Sequence, residues 1–243
     1  MNTLVNTEPL ATGPDAAEPA LFARNRRTPN FDRLAKLYFW MELSTFGPFL
    51  ARCREAFLSE LKSVRRAVVL GDGDGRFTAE LLRVHSQVRV DAVDASPAML
   101  DALLHRAGLN AGRVSAHCAD ARNWPPANSP YDLVVSHFFL DCLTTEEIRA
   151  LAMKVHDAIS PSAMWVVSDF AVPRNLFGRW VARPLVSLLY GAFGLLTGLK
   201  IRCLPDHHGA LRNAGFTLTQ RQTWLCGLLV SEMWRCQGVD REA

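Results

Sequence analysis

Residues 67–77 have the sequence Ala-Val-Val-Leu-Gly-Asp-Gly-Asp-Gly-Arg-Phe. A short apolar run is followed by three glycines at alternate positions, Gly71, Gly73 and Gly75, and then by helix-favouring residues. This pattern predicts a strand, a tight turn and a helix. Glycine suits such a turn because it permits unusual backbone angles and lets a ligand approach the main chain. The stretch therefore predicts the nucleotide-cofactor turn of an α/β protein.

The spacing and charge of this turn indicate which cofactor it accepts. In the dinucleotide fingerprint G-x-G-x-x-G a third glycine stands where this chain has Arg76. Asp72 and Asp74 separate the glycines, and two carboxylates in one turn would repel a pyrophosphate but tolerate a sulfonium and an ammonium group. The turn thus favours S-adenosylmethionine over NAD or FAD, and a glycine turn without a ligand is the alternative.

A second acidic anchor follows in the next predicted strand, residues 88–94. Asp94 ends this strand about 20 residues beyond the glycines, where an acidic side chain meets ribose hydroxyls in dinucleotide folds. Ser96 and Pro97 then predict the start of a helix. Met99 on this helix either packs on an adenine or belongs to the core.

Residues 67–169 resemble the core of a class I S-adenosylmethionine-dependent methyltransferase. The two helices predicted before them resemble the cap of small-molecule enzymes of ubiquinone and menaquinone biosynthesis, in which a tyrosine placed like Tyr38 lies near the cofactor. The resemblance rests on the glycine turn, on residues 93–100, on Ala-Asp-Ala at 119–121 after a third strand, and on residues 131–136 as a fourth. It departs at Val69, where many members carry an acidic residue. The implied fold is α/β: a Rossmann-like sheet of seven strands, mostly parallel with a terminal antiparallel hairpin, and helices on both faces.

The resemblance also implies roles for individual residues in cofactor binding. Gly71 and Gly73 are expected against the methionine part of S-adenosylmethionine, and Asp94 on its ribose. Asp120 is expected near the adenine amino group and Ser136 beside the sulfonium. The residues expected to bind the cofactor are Tyr38, Gly71, Asp72, Gly73, Asp94, Ala95, Met99, Asp120, Ala121 and Ser136.

Composition sets the outer limits of function. The chain has 243 residues, of which 49% are hydrophobic and 21% charged, enough to bury a sizeable core. A net charge of +3 without a dense Lys/Arg stripe neither demands nor excludes nucleic acid, and no nucleic-acid partner is predicted. The six cysteines form no C-x-x-C pair and are typical of reduced thiols, which predicts a cytoplasmic protein. No oligomeric state is predicted.

The chain divides into three predicted parts. Residues 1–27 form a polar leader, expected to be disordered and lacking the apolar segment of a signal peptide. Residues 28–62 show apolar positions at helical spacing and predict an N-terminal helical cap, which contains Tyr38. Residues 63–243 form the methyltransferase domain, with a lid-like helical insertion over 174–203 after the fifth strand.

The insertion carries an uncharged run at 184–199, too short for a confident membrane span and interrupted by glycines. Arg174, Arg179 and Arg183 precede or enter this run. They permit transient contact of residues 174–199 with an anionic membrane surface. A helix that simply packs on the helical cap is the alternative.

Two ionisable residues stand at the predicted ends of the fourth and fifth strands, His137 and Asp169, and are the candidates for acid/base catalysis. Each has an ordinary alternative, a hydrogen-bonded imidazole for the first and a loop-capping carboxylate for the second. His207 and His208 follow Asp206, but adjacent residues project differently from a helix, so this run predicts a helix start and no metal site.

These observations predict methyl transfer from S-adenosylmethionine to a small, apolar or aromatic acceptor, at oxygen or carbon. Arg76 and the acidic turn disfavour a dehydrogenase. The absence of an Asn/Asp-Pro-Pro-Tyr/Phe-like motif after the fourth strand argues against methylation of nucleic-acid bases. A non-catalytic protein that keeps the fold and binds the cofactor or a partner is the other alternative, supported by Val69 and by Ser162 and Ala163, where relatives often have two glycines.

Overall fold

The computed structural model describes residues 48–126, 130–173, 175–176, 178–186 and 204–236. The predicted leader and Tyr38 lie outside these residues, as does most of the predicted insertion. The helices and strands, in chain order, are α1 (Pro48–Arg54), β1 (Arg66–Leu70), α2 (Arg76–Val84), β2 (Arg89–Asp94), α3 (Pro97–Ala107), β3 (Val114–Cys118), β4 (Tyr131–His137), α4 (Thr145–Asp157), β5 (Ile159–Phe170), α5 (His207–Asn213), β6 (Phe216–Trp224) and β7 (Leu229–Cys236).

The seven strands form one sheet in the order β3-β2-β1-β4-β5-β7-β6. Strands β1 to β5 pair in parallel, β7 pairs with β5 in antiparallel, and β6 pairs with β7 in antiparallel. This confirms the predicted Rossmann-like methyltransferase sheet with its terminal hairpin. The strand order reverses between β1 and β4, and ligands of open α/β sheets bind at such a reversal, outside the carboxyl ends of the strands. We call this side of the sheet the carboxyl edge.

Local signals in the sequence explain where the helices begin. The Ser96 hydroxyl accepts a hydrogen bond from the Met99 amide, and Pro97 is the first residue of α3. Thr144 and Glu147 form a capping box at the start of α4, each side chain bonding the backbone of the other residue. These caps satisfy backbone groups that the first helical turn leaves without partners.

The inner strands of the sheet are buried on both faces, whereas the edge strands β3 and β6 are largely exposed. One face packs on α2 and α3 and includes Val135 of β4 together with Phe77 and Leu81. The other packs on α4 and α5 and includes Val134 together with Trp165. Successive residues of a strand point to opposite faces, and this alternation decides which groups meet at the carboxyl edge.

The structure describes residues 175–176 and 178–186 of the predicted insertion, and Gly178–Ala182 forms a single π-helical turn there. Three apolar side chains of this segment are exposed, Leu176, Trp180 and Val181. In the described part of the chain, no helix combines the length and the apolar character needed to cross a membrane.

Candidate functional site

The glycine turn connects β1 to α2 at the carboxyl edge, with φ of 68° at Gly71, 59° at Gly73 and 78° at Gly75. These positive values favour glycine at all three positions. The surroundings of Gly71 and Gly73 differ, however. A Cβ on Gly71 would overlap the ring of Phe139, whereas a Cβ on Gly73 would meet no described heavy atom closer than 3.9 Å. Gly71 is required by packing, and Gly73 borders open space that a ligand can enter.

The two carboxylates of the turn do not face this space as free charges. The Asp72 carboxylate accepts a hydrogen bond of 2.8 Å from the Thr78 amide of α2. The Asp74 carboxylate lies 2.6 Å from a nitrogen of Arg106 and 3.3 Å from Nε of Arg76. One carboxylate therefore bonds the backbone of α2 and the other is paired with two cations, so the negative charge of the turn is partly compensated. The preference of the turn for S-adenosylmethionine over a dinucleotide stays a prediction. Burial raises the pKa of Asp72 to about 6, against the lowering effect of the Thr78 hydrogen bonds.

Asp94 joins the glycine turn to the end of β2. Its carboxylate accepts a hydrogen bond of 2.9 Å from the Ser96 amide and further hydrogen bonds from the amides of Gly73 and Ala95. Burial nevertheless raises the pKa of Asp94. The Met99 sulfur lies 3.9 Å from the Cβ position of Gly73. We define Gly73, Asp94 and Met99 as the candidate cofactor wall.

Asp120 follows β3 near this wall, but its carboxylate is already engaged. Both of its oxygens lie 2.9 Å from Nε of Arg122, and that guanidinium also contacts Glu147 at 2.7 Å. Burial raises the pKa of Asp120, but the hydrogen bonds from Arg122 outweigh it and hold the pKa below its usual value. Ala121 is buried in the core on the α4 side of the sheet. The cofactor roles expected for these two residues stay predictions.

Ser136 is opposite Leu70 in the β1–β4 ladder, one residue before the glycine turn, but its side chain points into the core. Its hydroxyl is fully buried and accepts a hydrogen bond of 3.0 Å from Nε1 of Trp165, on the α4 and α5 face of the sheet. The structure therefore gives this side chain a partner in the core. The cofactor role expected for Ser136 stays a prediction.

His137 is the last residue of β4 and lies on the other face. Its imidazole is 4% exposed and packs edge-on against Phe77, with the ring centroids 4.6 Å apart. Neither ring nitrogen has a hydrogen-bond partner among the described residues. Burial, and then the charge of Arg54, lower the pKa of His137 well below its usual value. The imidazole is therefore neutral at physiological pH and has unused hydrogen-bonding capacity.

Asp169, the other candidate for acid/base catalysis, points to the opposite face of the sheet from His137. His137 is opposite Ser168 in the β4–β5 ladder, so the next residue of β5 points to the opposite face. There the Asp169 carboxyl accepts hydrogen bonds from the amides of Asp141 and Phe170, at 3.2 and 3.1 Å. Burial, and then the charge of Asp141, raise the pKa of Asp169 well above its usual value. Asp169 belongs to a buried carboxyl pair, separated from His137 by the sheet.

Two further residues at the carboxyl edge carry no signal in the sequence. Phe138 has a φ of 53°, an uncommon value for a residue other than glycine, and its ring lies 5.3 Å from that of Phe170. The Arg54 guanidinium, at the end of α1, lies 5.2 Å from the Phe138 ring and lowers the pKa of both His137 and Asp72. An arginine in a predicted helical cap has no pattern that places it beside a strand end more than eighty positions away, so sequence reasoning missed it.

An apolar cluster lies beside these rings, where β5 ends and β7 begins. Phe138 and Phe170 pack against a buried group drawn from α1, from residues 178–186 and from the β6–β7 connection. The buried members are Leu50, Cys53, Ala182, Val186, Leu228 and Leu229. The carboxyl edge thus combines a glycine-lined space, a neutral imidazole and an apolar surface.

Comparisons with known proteins agree with this architecture. A family model described as a methyltransferase domain matches residues 67–162. This part of the chain is therefore similar to a methyltransferase domain. An uncharacterized methyltransferase of Synechocystis sp. is 26% identical over 157 residues, which cover 65% of this chain and 69% of the relative. Trans-aconitate 2-methyltransferase of Rhodococcus jostii is 35% identical over 116 residues, which cover 48% of this chain and 41% of that protein.

Solved structures share the fold of this chain at low sequence identity. An O-methyltransferase family protein from Burkholderia thailandensis superposes with a TM-score of 0.65 at 18% identity, covering 87% of this chain and 62% of that one. The mitomycin 7-O-methyltransferase MmcR gives a TM-score of 0.64 at 15% identity, covering 85% of this chain and 60% of that one. The chain thus spans less than two thirds of either solved protein. The likeness to ubiquinone and menaquinone enzymes stays a prediction.

Proposed function

We propose that this chain transfers a methyl group from S-adenosylmethionine to a small, apolar or aromatic acceptor, at an oxygen or carbon atom. The observation that carries the proposal is the neutral, unpartnered imidazole of His137 at the carboxyl edge of a methyltransferase sheet. Buried polar groups are almost always hydrogen-bonded, and exceptions concentrate at functional sites. The glycine-lined space beside Gly73 supplies the second element.

The residues of the candidate cofactor wall fit S-adenosylmethionine. Gly73 leaves room for the ligand beside its backbone, and Asp94 is held at the end of β2 by amides from its own turn and from the glycine turn. The Asp94 carboxylate can accept hydrogen bonds from the ribose hydroxyls, and Met99 provides an apolar, polarisable surface for the adenine. When bound, the cofactor supplies an electrophilic methyl group on a sulfonium. The main task of the protein is to align the acceptor in a pocket that excludes water.

We assign His137 the role of general base, which accepts the proton that the acceptor loses. A neutral imidazole accepts a proton through a free ring nitrogen, and burial together with the charge of Arg54 keeps His137 in this form. Its lowered pKa makes it a weak base, and a weak base matches an acceptor that is itself acidic, such as a phenol or an activated carbon acid. An aliphatic alcohol would need a stronger base.

The apolar surface supports the choice of acceptor. Phe138 and Phe170 lie at the carboxyl edge and continue into the cluster formed by α1 and residues 178–186. Ligand pockets are mostly apolar with few polar groups that fix orientation. An aromatic acceptor with one ionisable group fits this combination. The mitomycin 7-O-methyltransferase among the structural neighbours is named for methylation at oxygen.

Isothermal titration with S-adenosylmethionine, S-adenosylhomocysteine and NADH tests the cofactor assignment. We expect the two sulfur compounds to bind and NADH not to bind. Asp94→Asn should weaken S-adenosylmethionine about 100-fold, because it removes charged hydrogen-bond acceptors for the ribose. Asp101→Asn, on the exposed side of α3, is the matched control and should leave affinity unchanged.

The non-catalytic alternative is tested by the same titration. Val69, where many methyltransferases carry an acid, is buried in the core beneath the glycine turn. If neither sulfur compound binds the folded protein, the site is inactive and an interaction role replaces the enzymatic one. Binding without methyl transfer to any phenol, quinol or carbon acid tested would leave a cofactor-binding protein.

We also propose that residues 175–186 touch an anionic membrane surface. Leu176 and Trp180 are 76% and 71% exposed, and Arg179 and Arg183 are exposed beside them. Exposed aromatic and aliphatic side chains among arginines suit the interface of an anionic bilayer. Co-sedimentation with phosphatidylserine vesicles should exceed that with phosphatidylcholine vesicles and should fall in Trp180→Ser. Met153→Ser, an exposed apolar site on α4, should have no effect, and equal loss in both variants would refute the assignment.

A further inference from the structure

A second group of ionisable side chains lies apart from the glycine turn, on the α4 and α5 face of the sheet. Glu232 of β7 is opposite Val167 of β5 and Arg221 of β6, and its side chain is fully buried. Two histidines at the start of α5 reach its carboxylate. His207 Nε2 lies 3.2 Å from Oε2 and His208 Nε2 lies 2.8 Å from Oε1.

The convergence of two adjacent histidines differs from the sequence expectation that they point apart. Asp206 begins the helix as predicted, accepting a hydrogen bond of 2.9 Å from the Gly209 amide. The imidazoles of His207 and His208 nevertheless lie together, with centroids 4.6 Å apart and planes at 68°. Both ring nitrogens are directed to one carboxylate, so the run provides a ligand set as well as a helix start.

The two oxygens of the carboxylate are bonded differently. Oε2 lies 3.2 Å from Nε1 of Trp234, which donates a hydrogen bond to it, and 3.2 Å from His207 Nε2. Oε1 receives no hydrogen bond of acceptable geometry among the described residues, although His208 Nε2 is only 2.8 Å away. The carboxylate and the two imidazole nitrogens therefore converge on one small region, as the ligands of one cation do.

We propose that His207, His208 and Glu232 bind a divalent transition-metal ion, with Zn²⁺ as the best match. Their ligand atoms all lie within 4.8 Å of one another. Two imidazoles and one carboxylate are a ligand set that zinc accepts, and a fourth position then remains for water or another ligand. The ion would compensate the buried charge of Glu232, and the Trp234 indole would orient the carboxylate from behind, as outer hydrogen bonds do in metal sites.

The site is accessible from solvent. The side chain of His208 is 30% exposed and that of His207 is 13% exposed, so an ion can enter from the surface. The Arg221 guanidinium, with Nε 3.4 Å from Oε1, competes for the carboxylate, but its side chain is 45% exposed and can turn into water. The proposal therefore predicts that removing the charge of Arg221 tightens metal binding, because a competitor for the carboxylate is lost. If the cluster is only a set of ion pairs, the same change removes one ion pair and gains no metal affinity.

Titration of the full chain with Co²⁺ and Zn²⁺, without cofactor or acceptor, tests the site. We expect one equivalent to bind, with the visible absorption of Co²⁺ in a nitrogen and oxygen environment, displaced by Zn²⁺. His207→Ala and His208→Ala should each weaken binding by about 100-fold. Arg221→Gln should strengthen it several-fold. His105→Ala, on the exposed side of α3, is the matched control and should bind as the unchanged protein does.

Three results would overturn the proposal. The first is that the protein binds neither ion, and the second is that the His207 and His208 variants bind as well as the control. The third is that the Co²⁺ complex shows a sulfur charge-transfer band, which would assign the ion to cysteines. Circular dichroism of each variant verifies folding, and His208→Gln offers a conservative second substitution should the alanine variant unfold. Because no methyl transfer is measured, failure here is independent of failure of the proposed function.

Discussion

The two faces of the sheet hold contrasting groups at the carboxyl edge. On the α2 and α3 face, His137 packs against Phe77 and neither ring nitrogen has a described partner. On the α4 and α5 face, Asp169 is equally buried but is bonded by the amides of Asp141 and Phe170. Adjacent strands end in these groups, and burial shifts both pKa values towards the uncharged form, lowering that of His137 and raising that of Asp169.

The difference between them lies in hydrogen-bonding capacity rather than in charge. Both ring nitrogens of His137 are available to bond a ligand, whereas the oxygens of Asp169 already accept hydrogen bonds from backbone amides of neighbouring residues. A buried polar group without partners costs free energy that a ligand can restore, and a fully bonded group gains little from a ligand. The comparison therefore assigns reaction chemistry to the His137 face and structure to the Asp169 face.

The largest expected effect is on methyl transfer. His137→Gln should lower kcat by about 100-fold to 10,000-fold, the usual contribution of a general base, because glutamine has no basic nitrogen. The affinity for S-adenosylmethionine should stay unchanged, since His137 is not part of the candidate cofactor wall. Stopped assays with an ionisable phenol as acceptor, together with titration of the cofactor, measure the two quantities.

Asp169→Asn is the matched variant for this comparison. It removes a carboxyl of the other face and should retain most of the activity. If this variant lost as much kcat as His137→Gln, the division of roles between the faces would be wrong.

The outline of the fold followed from local sequence. Apolar runs marked the strands, and Ser96 with Pro97, and Thr144 with Glu147, marked the helix starts, because each cap involves residues only three positions apart. Such signals need no knowledge of the rest of the chain. The topology of the sheet, with its terminal hairpin, was implied by the resemblance to class I methyltransferases rather than by these local signals.

The environment of each ionisable group was not predictable in the same way. Asp74 is paired with Arg106, 32 positions away, and His207 meets Glu232, 25 positions away, across a hairpin whose register decides the contact. The face of a strand-end residue such as Asp169 depends on the register of its ladder, and a shift by one residue moves the side chain to the other face. Sequence patterns predicted where the strands end but not the register in which their residues pair.

The second prediction concerns Ser136, which the sequence assigned to the cofactor and the structure places on the Asp169 face. Ser136→Ala leaves Nε1 of the buried Trp165 without its acceptor, which should destabilise the protein by about 1–3 kcal/mol. Cofactor affinity should be unchanged. Urea unfolding and isothermal titration test the two statements, and a weakened affinity with normal stability would return Ser136 to the cofactor site.

The third prediction separates stability from activity on the Asp169 face. The pKa of Asp169 is raised in the folded protein, so the native state holds a proton that the unfolded chain releases above about pH 4. Its contribution to stability is therefore largest at acid pH and declines as the pH rises towards the folded pKa. Asp169→Asn should remove this decline while changing stability at acid pH by less than about 1 kcal/mol, because asparagine keeps a neutral group there. Urea unfolding across the pH range measures both, and an unchanged slope would show that another group titrates.

The smallest expected effect links α1 to the His137 face. The Arg54 charge is the second cause, after burial, of the lowered pKa of His137. Arg54→Met removes the charge but keeps an apolar stem against Phe138, so the pKa should rise and the acid limb of kcat/KM should move to higher pH. Arg52→Met, an exposed change on the same helix, is the control. The imidazole proton signal in NMR spectra reports the pKa directly, and because burial remains in the variant, only part of the lowering should be lost; complete recovery of an ordinary pKa would mean that Arg54 also keeps water away from the imidazole.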